Sequence, residues 1–211
     1  VTNCDDPLIG RPLAMYDVLR DAAGQPQAID VVYVVKGKFT TMAHTLSPGQ
    51  KVDVWGPLGN GFPPSPAAHL IMVAGGIGYT PFLAVAKEVL GHETYGQPQR
   101  EVAQAERVTF CYGARSADYL AGVEDFQNAG VDLRISTDDG TRGHHGLVTD
   151  VLQQVLDESA NGRIVCCGPE PMMEAVAEIA RERDVPCLVS LETPMACGIG
   201  ICFSCVAKVQ D

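Results

Sequence analysis

His69-Leu-Ile-Met-Val-Ala-Gly-Gly-Ile-Gly-Tyr-Thr-Pro81 decides the fold of this chain. An apolar run of strand length (His69–Ala74) is followed by three closely spaced glycines, and a helical pattern then runs from about Pro81 to Leu90. The same alternation recurs downstream. Strand Arg107–Tyr112 precedes a short helix near Val123–Ala129, and strand Asp132–Ser136 precedes an amphipathic helix over Leu147–Glu158. In that helix Leu147, Val148, Val151, Leu152 and Val155 recur at i, i+3/i+4 spacing and define one face. Strand Arg163–Cys167 then precedes helix Pro171–Arg183, and a last strand is expected at Cys187–Leu191. Repeated β-α units of this length predict a doubly wound parallel α/β sheet over residues 67–186. The polar stretch between Gly91 and Glu106 reads as a solvated surface loop.

Upstream of residue 67 the character changes. Strand-like runs at Ile29–Lys36 and Lys51–Trp55 are separated by turn chemistry at Ser47-Pro-Gly49 and Gly56-Pro57. Gly59-Asn60-Gly61 and Pro63–Pro66 read as a stiff link. Residues 1–66 therefore suggest part of a β-barrel or sandwich, with Val1–Cys4 as the tail of a strand and the domain N-terminally incomplete. The 211 residues carry a net charge of −11 with no basic stretch, which excludes a nucleic-acid partner, because phosphate binding needs clustered Lys and Arg. No apolar run approaches a membrane span, so no membrane association is expected. The adjacent pair Cys166-Cys167 lies inside a strand, and three further cysteines have cluster spacing, a usage that fits a reducing cytoplasm.

In an open α/β sheet, ligands bind beyond the carboxyl ends of the strands. At the first such end, Gly75, Gly76 and Gly78 permit a tight turn and close approach to a pyrophosphate. Thr80 and Pro81 suit the first turn of a helix whose N-terminus favours phosphate. This context points to a bound dinucleotide. At a second end, Cys167-Gly168-Pro169 is either a tight β-α turn or a backbone shelf for the nicotinamide, with Cys167 facing the ring. At a third, Asp138 and Asp139 either bond a cofactor's ribose or amide groups, or cap their own turn. His144 and His145 read as surface residues. Arg115 and Ser116 follow the second strand, where a 2′-phosphate could be read, and leave NAD against NADP open.

The run Met195–Cys205 holds Cys197, Cys202 and Cys205 at C-x4-C-x2-C spacing, that of the first three thiolate ligands of a plant-type [2Fe–2S] cluster. Three reduced thiols, or a zinc site short of one ligand, are the alternatives. Cys187 lies on an apolar strand and reads as a small core residue, so the fourth ligand is expected beyond Asp211, with the cluster segment 187–211 C-terminally incomplete. In the front part, Arg11 can pair with a flavin phosphate, and Gly37-Lys-Phe-Thr-Thr-Met42 opens a helical turn suited to the same group.

The order of Arg11-Pro-Leu13, Gly37–Thr40, Gly56–Phe62, Gly75–Gly78, Thr137-Asp-Asp-Gly140, Cys167-Gly-Pro169 and Met195–Cys205 resembles the electron-transfer subunits of NAD-linked (class 1B) dihydroorotate dehydrogenases, in the ferredoxin reductase-like superfamily. That resemblance implies an FAD-binding β-barrel, an NAD-binding α/β domain and the start of a [2Fe–2S] domain. It places flavin contacts on Arg11, Pro12, Leu13, Ala14, Val32, Tyr33, Val34, Phe39 and Thr40. It further implies an FMN-containing catalytic partner in a heterotetramer of two plus two, with electrons from dihydroorotate passing by the cluster and FAD to NAD⁺ in pyrimidine biosynthesis. The alternatives are a ferredoxin:NAD(P) reductase-type subunit with another partner and a non-catalytic nucleotide-binding module.

Overall fold

The computed structural model describes residues 11–59, 61–63, 67–96, 98–159, 161–192, 195–197 and 199–207. The expected tail of a strand at Val1–Cys4, and the middle of the stiff link (Asn60 and residues 64–66), lie outside them. A six-stranded sheet dominates, in the order β6-β5-β4-β3-β7-β8, with every neighbouring pair parallel. Its strands are β3 (His69–Gly75), β4 (Arg107–Ala114), β5 (Asp132–Thr137), β6 (His144–His145), β7 (Arg163–Cys167) and β8 (Cys187–Val189). The connecting helices are α2 (Phe82–Val89), α3 (Val123–Asn128), α4 (Val148–Glu158) and α5 (Glu170–Glu182). The doubly wound parallel sheet expected from the sequence is present.

Alternation along β3 shows why the sheet is covered twice. Leu70, Met72 and Ala74 join a core with Phe82, Leu83 and Ala86 of α2 and Phe126 of α3, whereas Ile71 and Val73 join one with Val151, Leu152 and Val155 of α4 and Val176 of α5. A strand apolar on both faces is stable only between two helical layers. The first layer is rich in aromatic rings, with Phe110 and Tyr112 stacked at 5.2 Å and Phe126 4.6 Å from Phe110. The stripe of α4 is shifted from the expectation. Leu147 precedes the helix and is 62% exposed, while Leu156 is buried in its place. The reason is the N-terminal bond: the Asp150 carboxylate reaches back to the Leu147 N–H at 3.1 Å, so the helix starts one residue later.

The front part departs further. A hairpin of β1 (Met15–Arg20) and β2 (Pro26–Val31) is followed by the short helix α1 (Lys38–His44). Strand β1 carries no strong sequence signal and was not expected. The strand expected at Ile29–Lys36 ends at Val31, and Lys51–Trp55 is not a strand. Alternating hydrophobicity supplies a strand's side-chain pattern, but a ladder needs a neighbouring edge, and the described residues offer Lys51–Trp55 none; Trp55 is 72% exposed. The hairpin docks on the α2–α3 layer. The Tyr16 hydroxyl donates to Asp125 at 2.6 Å, and Lys87 pairs with Asp17 at 2.6 Å. The 91–106 stretch is irregular, as expected, but pinned: Arg20 pairs with Glu93, and Arg100 donates to the buried Glu88 at 2.7 Å.

At the opposite, amino edge of the sheet, His69 is 4% exposed. Its Nε2 lies 2.8 Å from Thr109 Oγ, and Nδ1 has no partner. Burial, then the nearby Arg107, lowers its pKa below the ordinary 6.5, against the weaker pull of Asp132 and Glu158. The unfolded chain therefore takes up the proton first. Stability is complete above about pH 6.5 and declines as pH falls toward the folded value. Urea midpoints of the wild type are expected to drop between pH 7.5 and 5.5, and His69→Gln is expected to flatten that part of the profile; an unaltered profile would refute the assignment.

Candidate functional site

The strand order reverses at β3, whose neighbours are β4 on one side and β7 on the other. The crevice at its carboxyl end is the site such a topology offers a dinucleotide. The first two predicted loops meet there. The chain leaves β3 at Gly75 and makes a 3-10 turn over Gly76–Tyr79 before α2. Gly75 and Gly78 are small for a packing reason. A Cβ on Gly75 would stand 2.7 Å from Met172 Sδ and 2.9 Å from Pro169 Cδ, and one on Gly78 would overlap the Cys167 carbonyl. Gly168, at φ +157°, faces the Gly75 backbone in return. Gly76 differs: it takes φ +54°, with open space where a side chain would be. Of the three glycines, Gly76 is thus the one whose bare backbone faces outward, and Gly75 and Gly78 lock the turn against β7. Thr80 is buried beneath the turn, and Pro81 caps α2.

Cys167, the last residue of β7, is nearly inaccessible. Burial pushes its thiol up to about 11, so it is a neutral, polarisable wall rather than a nucleophile. Pro169 then opens α5.

The third loop leaves β5, two strands from β3, or roughly 10 Å across the sheet. Asp138 is exposed. Asp139 accepts from Thr141 through both Oγ (2.6 Å) and N–H (3.0 Å), which holds its carboxyl below the usual range. Thr141 Oγ also accepts the Ala117 N–H at 2.8 Å, tying this loop to the one after β4. Asp139 therefore caps its turn, whereas Asp138, equally exposed, takes no part in that cap. Thr141 was not singled out from sequence, although an Asp-Gly-Thr turn is its signature. His144 and His145 form the edge strand β6, and His144 Nε2 lies 3.3 Å from Asp150.

Strand β8 runs beside β7 and delivers the cysteine loop to the same carboxyl edge. Cys197 and Cys205 are partly exposed and Cys202 is exposed. The loop already turns donors toward sulfur: Ile199 N–H points at Cys197 Sγ at 3.4 Å, and Ser204 Oγ lies 3.1 Å from Cys202 Sγ. Hydrogen bonds from Ser204, then from Cys197, hold the Cys202 thiol down to about 6, and the Ile199 and Cys202 N–H groups lower that of Cys197. Thiolates with backbone donors around them are the donor set an iron–sulfur group requires. Among the described residues, no three His, Cys, Asp or Glu side chains are yet close enough to hold a metal, so the loop would tighten on binding. Cys187 packs against the α4–α5 core, and burial pushes its thiol up to about 11.

In the front part, paired Met15 and Val31 place Arg11–Ala14 alongside Val32–Val34 at the open end of the hairpin. Tyr33, Phe39 and Thr40 are partly buried, whereas Leu13 and Val34 are exposed. Thr40 Oγ accepts the Lys36 and Gly37 N–H groups at 2.9 and 3.0 Å and so shapes the entry to α1 itself.

Comparison with known proteins agrees with this arrangement. Residues 72–178 match the oxidoreductase NAD-binding domain, and residues 192–211 match the iron–sulfur cluster binding domain of dihydroorotate dehydrogenase B. The dihydroorotate dehydrogenase B (NAD(+)) electron transfer subunit of Geobacillus sp. is 33% identical, over all of this chain and 75% of its own. This chain belongs to the family of dihydroorotate dehydrogenase B electron transfer subunits. The Bacillus caldolyticus member is 35% identical over 97% of this chain and 72% of its own, and that of Caldanaerobacter subterraneus 32% over 89% and 68%. A chain of an NADH-dependent reduced ferredoxin-NADP oxidoreductase has the same architecture, with a TM-score of 0.68 and 29% identity over 93% of this chain and 71% of its own. The cytochrome b5 reductase domain of Ulva prolifera nitrate reductase, at 18% identity and a TM-score of 0.57 over 82% of this chain and 81% of its own, shares the fold.

Proposed function

We propose that this chain is the electron-transfer subunit of an NAD-linked dihydroorotate dehydrogenase, passing electrons from a catalytic subunit that oxidises dihydroorotate to NAD⁺. One observation carries the reading. The glycine turn after β3 and the cysteine loop after β8 leave the same edge of one parallel sheet, with only β7 between their strands. That shared edge supports reading a nucleotide site and a one-electron site as neighbours on the sheet. The division of labour is residues 1–66 for FAD, 67–186 for NAD and 187–211 for the cluster.

When bound, FAD supplies the exchange between paired and single electrons, and a [2Fe–2S] cluster supplies a one-electron relay. The protein's part is to position them. Gly76 presents bare backbone to the dinucleotide phosphates, Gly168 and Pro169 shelve the nicotinamide against Cys167, and Asp138 is placed to accept hydrogen bonds from ribose. Cys197, Cys202 and Cys205 would hold the cluster. Arg11–Ala14, Val32–Val34, Phe39 and Thr40 would line the flavin. No acid–base residue is needed, since hydride passes directly between flavin and nicotinamide. The finer reading is an FMN-containing partner, a two-plus-two assembly and a cytoplasmic setting for pyrimidine synthesis. Among the described residues, no helix is long and apolar enough to cross a membrane, and the seven described cysteines carry free thiols.

The experiment is reconstitution of the full-length protein with its own catalytic subunit. NADH-dependent orotate reduction is expected to require both. Equal rates without this chain would refute the function. The 29% identity to the ferredoxin-NADP oxidoreductase chain favours one other reading, a reductase with a different partner. Reduction of ferredoxin, but not orotate, by the purified protein would select it.

A further inference from the structure

Thr141 joins two loops at the carboxyl edge of the sheet, those that follow β4 and β5. The ladder between these strands continues past their ends. The Asp138 N–H donates to the Ala114 carbonyl at 3.0 Å, and the Asp139 N–H to the Arg115 carbonyl at 3.2 Å. Both bonds are made by backbone alone. The chain after β4 then enters a 3-10 turn over Ala117–Tyr119, and there the next bond comes from a side chain. Thr141 Oγ accepts the Ala117 N–H at 2.8 Å and donates its hydrogen to the Asp139 carboxylate at 2.6 Å. Chemistry fixes both directions, since an amide N–H only donates and an ionised carboxylate only accepts.

Strand β4 is the neighbour of β3 on the side away from β7. A dinucleotide whose pyrophosphate lies on the glycine turn sends its two nucleosides to opposite sides of that turn. With the nicotinamide half on the β7 side, the adenosine half lies toward β4, where Ala114–Ala117 is the first loop beyond the glycine turn. We propose that Thr141 is a positioning residue for the adenosine half of the dinucleotide, fixing the Ala114–Ala117 loop by holding the Ala117 N–H. The proposal rests on the reading that the crevice binds NAD(H). Without the hydroxyl, Ala114 and Arg115 keep their bonds to the β5 loop, and Ala117 loses its own. The segment must then be ordered on binding, which lowers affinity. Because this strut stands on the side away from β7, its effect should fall on binding and spare hydride transfer.

The test assays the full-length protein, Thr141→Val and Thr141→Ser with an artificial electron-accepting dye. Three probes separate the two halves: NADH, reduced nicotinamide mononucleotide without the adenosine, and ADP-ribose without the nicotinamide. Thr141→Val keeps the side-chain volume and loses the hydroxyl. It is expected to raise the NADH KM and the ADP-ribose Kd about fivefold, the factor one ordinary hydrogen bond contributes, with kcat unchanged. Its kcat/KM for the reduced mononucleotide should equal that of the wild type. Thr141→Ser retains the hydroxyl and should return both constants to their wild-type values. Unmoved NADH and ADP-ribose constants in a folded Thr141→Val protein overturn the proposal. So does an equal loss with the mononucleotide, which would spread the effect over the whole crevice, and so does a Thr141→Ser protein that behaves like Thr141→Val. A Thr141→Val chain that fails to fold overturns it as well, because the hydroxyl would then be a support for the sheet. A wild-type protein that binds neither NADH nor ADP-ribose would instead remove the underlying reading.

Discussion

Cys202→Ser is expected to abolish NADH-dependent orotate reduction by the assembled complex while sparing NADH oxidation by an artificial dye. Changes to groups that merely hydrogen-bond a metal ligand already cost about 10–100-fold in affinity or activity. Loss of the thiolate itself should therefore lower the rate by at least ~100-fold, together with the iron and acid-labile sulfide content. Hydrogen bonds from Ser204, then from Cys197, bring the Cys202 thiol down to about 6. The dinucleotide crevice between β3 and β7 involves none of these residues, so the dye reaction should persist. A Cys202→Ser complex that still reduces orotate at the wild-type rate would place the one-electron path elsewhere.

Gly78→Ala carries the second large effect, on stability first and nucleotide binding with it. The added methyl would meet the Cys167 carbonyl, with the Cys167 carbonyl carbon at 2.6 Å and Gly168 Cα at 2.9 Å. These are backbone atoms at the end of β7 and the first residue after it, and they cannot swing aside as a flexible side chain would. Forcing the two loops apart should cost roughly 2–4 kcal/mol, the range of severe core lesions. For a chain of this size that is a fall in Tm of about 4–16 °C. The crevice is built from the same two loops, so NADH affinity should weaken in parallel. Gly76→Ala is the control. It meets nothing within 4 Å and incurs only the positive-φ cost, about 1 kcal/mol. Equal losses in the two variants, by thermal melting and NADH titration, would refute the packing account of Gly78.

The α/β domain was legible because its signals are local and redundant. Strands β3 and β7 are apolar runs that end at glycine, β5 runs into Asp138-Asp139, and α4 and α5 carry clear helical periodicity, whereas the two-residue edge strand β6 has no such signal. The front part was less so. Ile29–Lys36 and Lys51–Trp55 have strand composition, yet pairing is decided by which edge lies alongside, and β1, with Asp17 and Arg20 inside it, advertises no strand at all. The site divides in the same way. The glycine turn, the Cys-Gly-Pro shelf and the cysteine triplet could each be named from spacing. Which glycine faces a ligand could not, because Gly75, Gly76 and Gly78 look alike until Met172, Pro169 and Cys167 are packed against two of them. Asp138 and Asp139 were likewise equivalent until Thr141 claimed one.

By itself, then, the sequence determined the kind of sheet, the chemistry of the thiols and the order of the loops, since periodicity and ligand type are properties of a few adjacent residues. The tertiary structure alone decided that β3, β7 and β8 lie side by side, so that the glycine turn and the cysteine loop, more than a hundred residues apart in the chain, open on one edge. Strand neighbours are chosen by burial on both faces of the sheet at once, and no local stretch of residues contains that information.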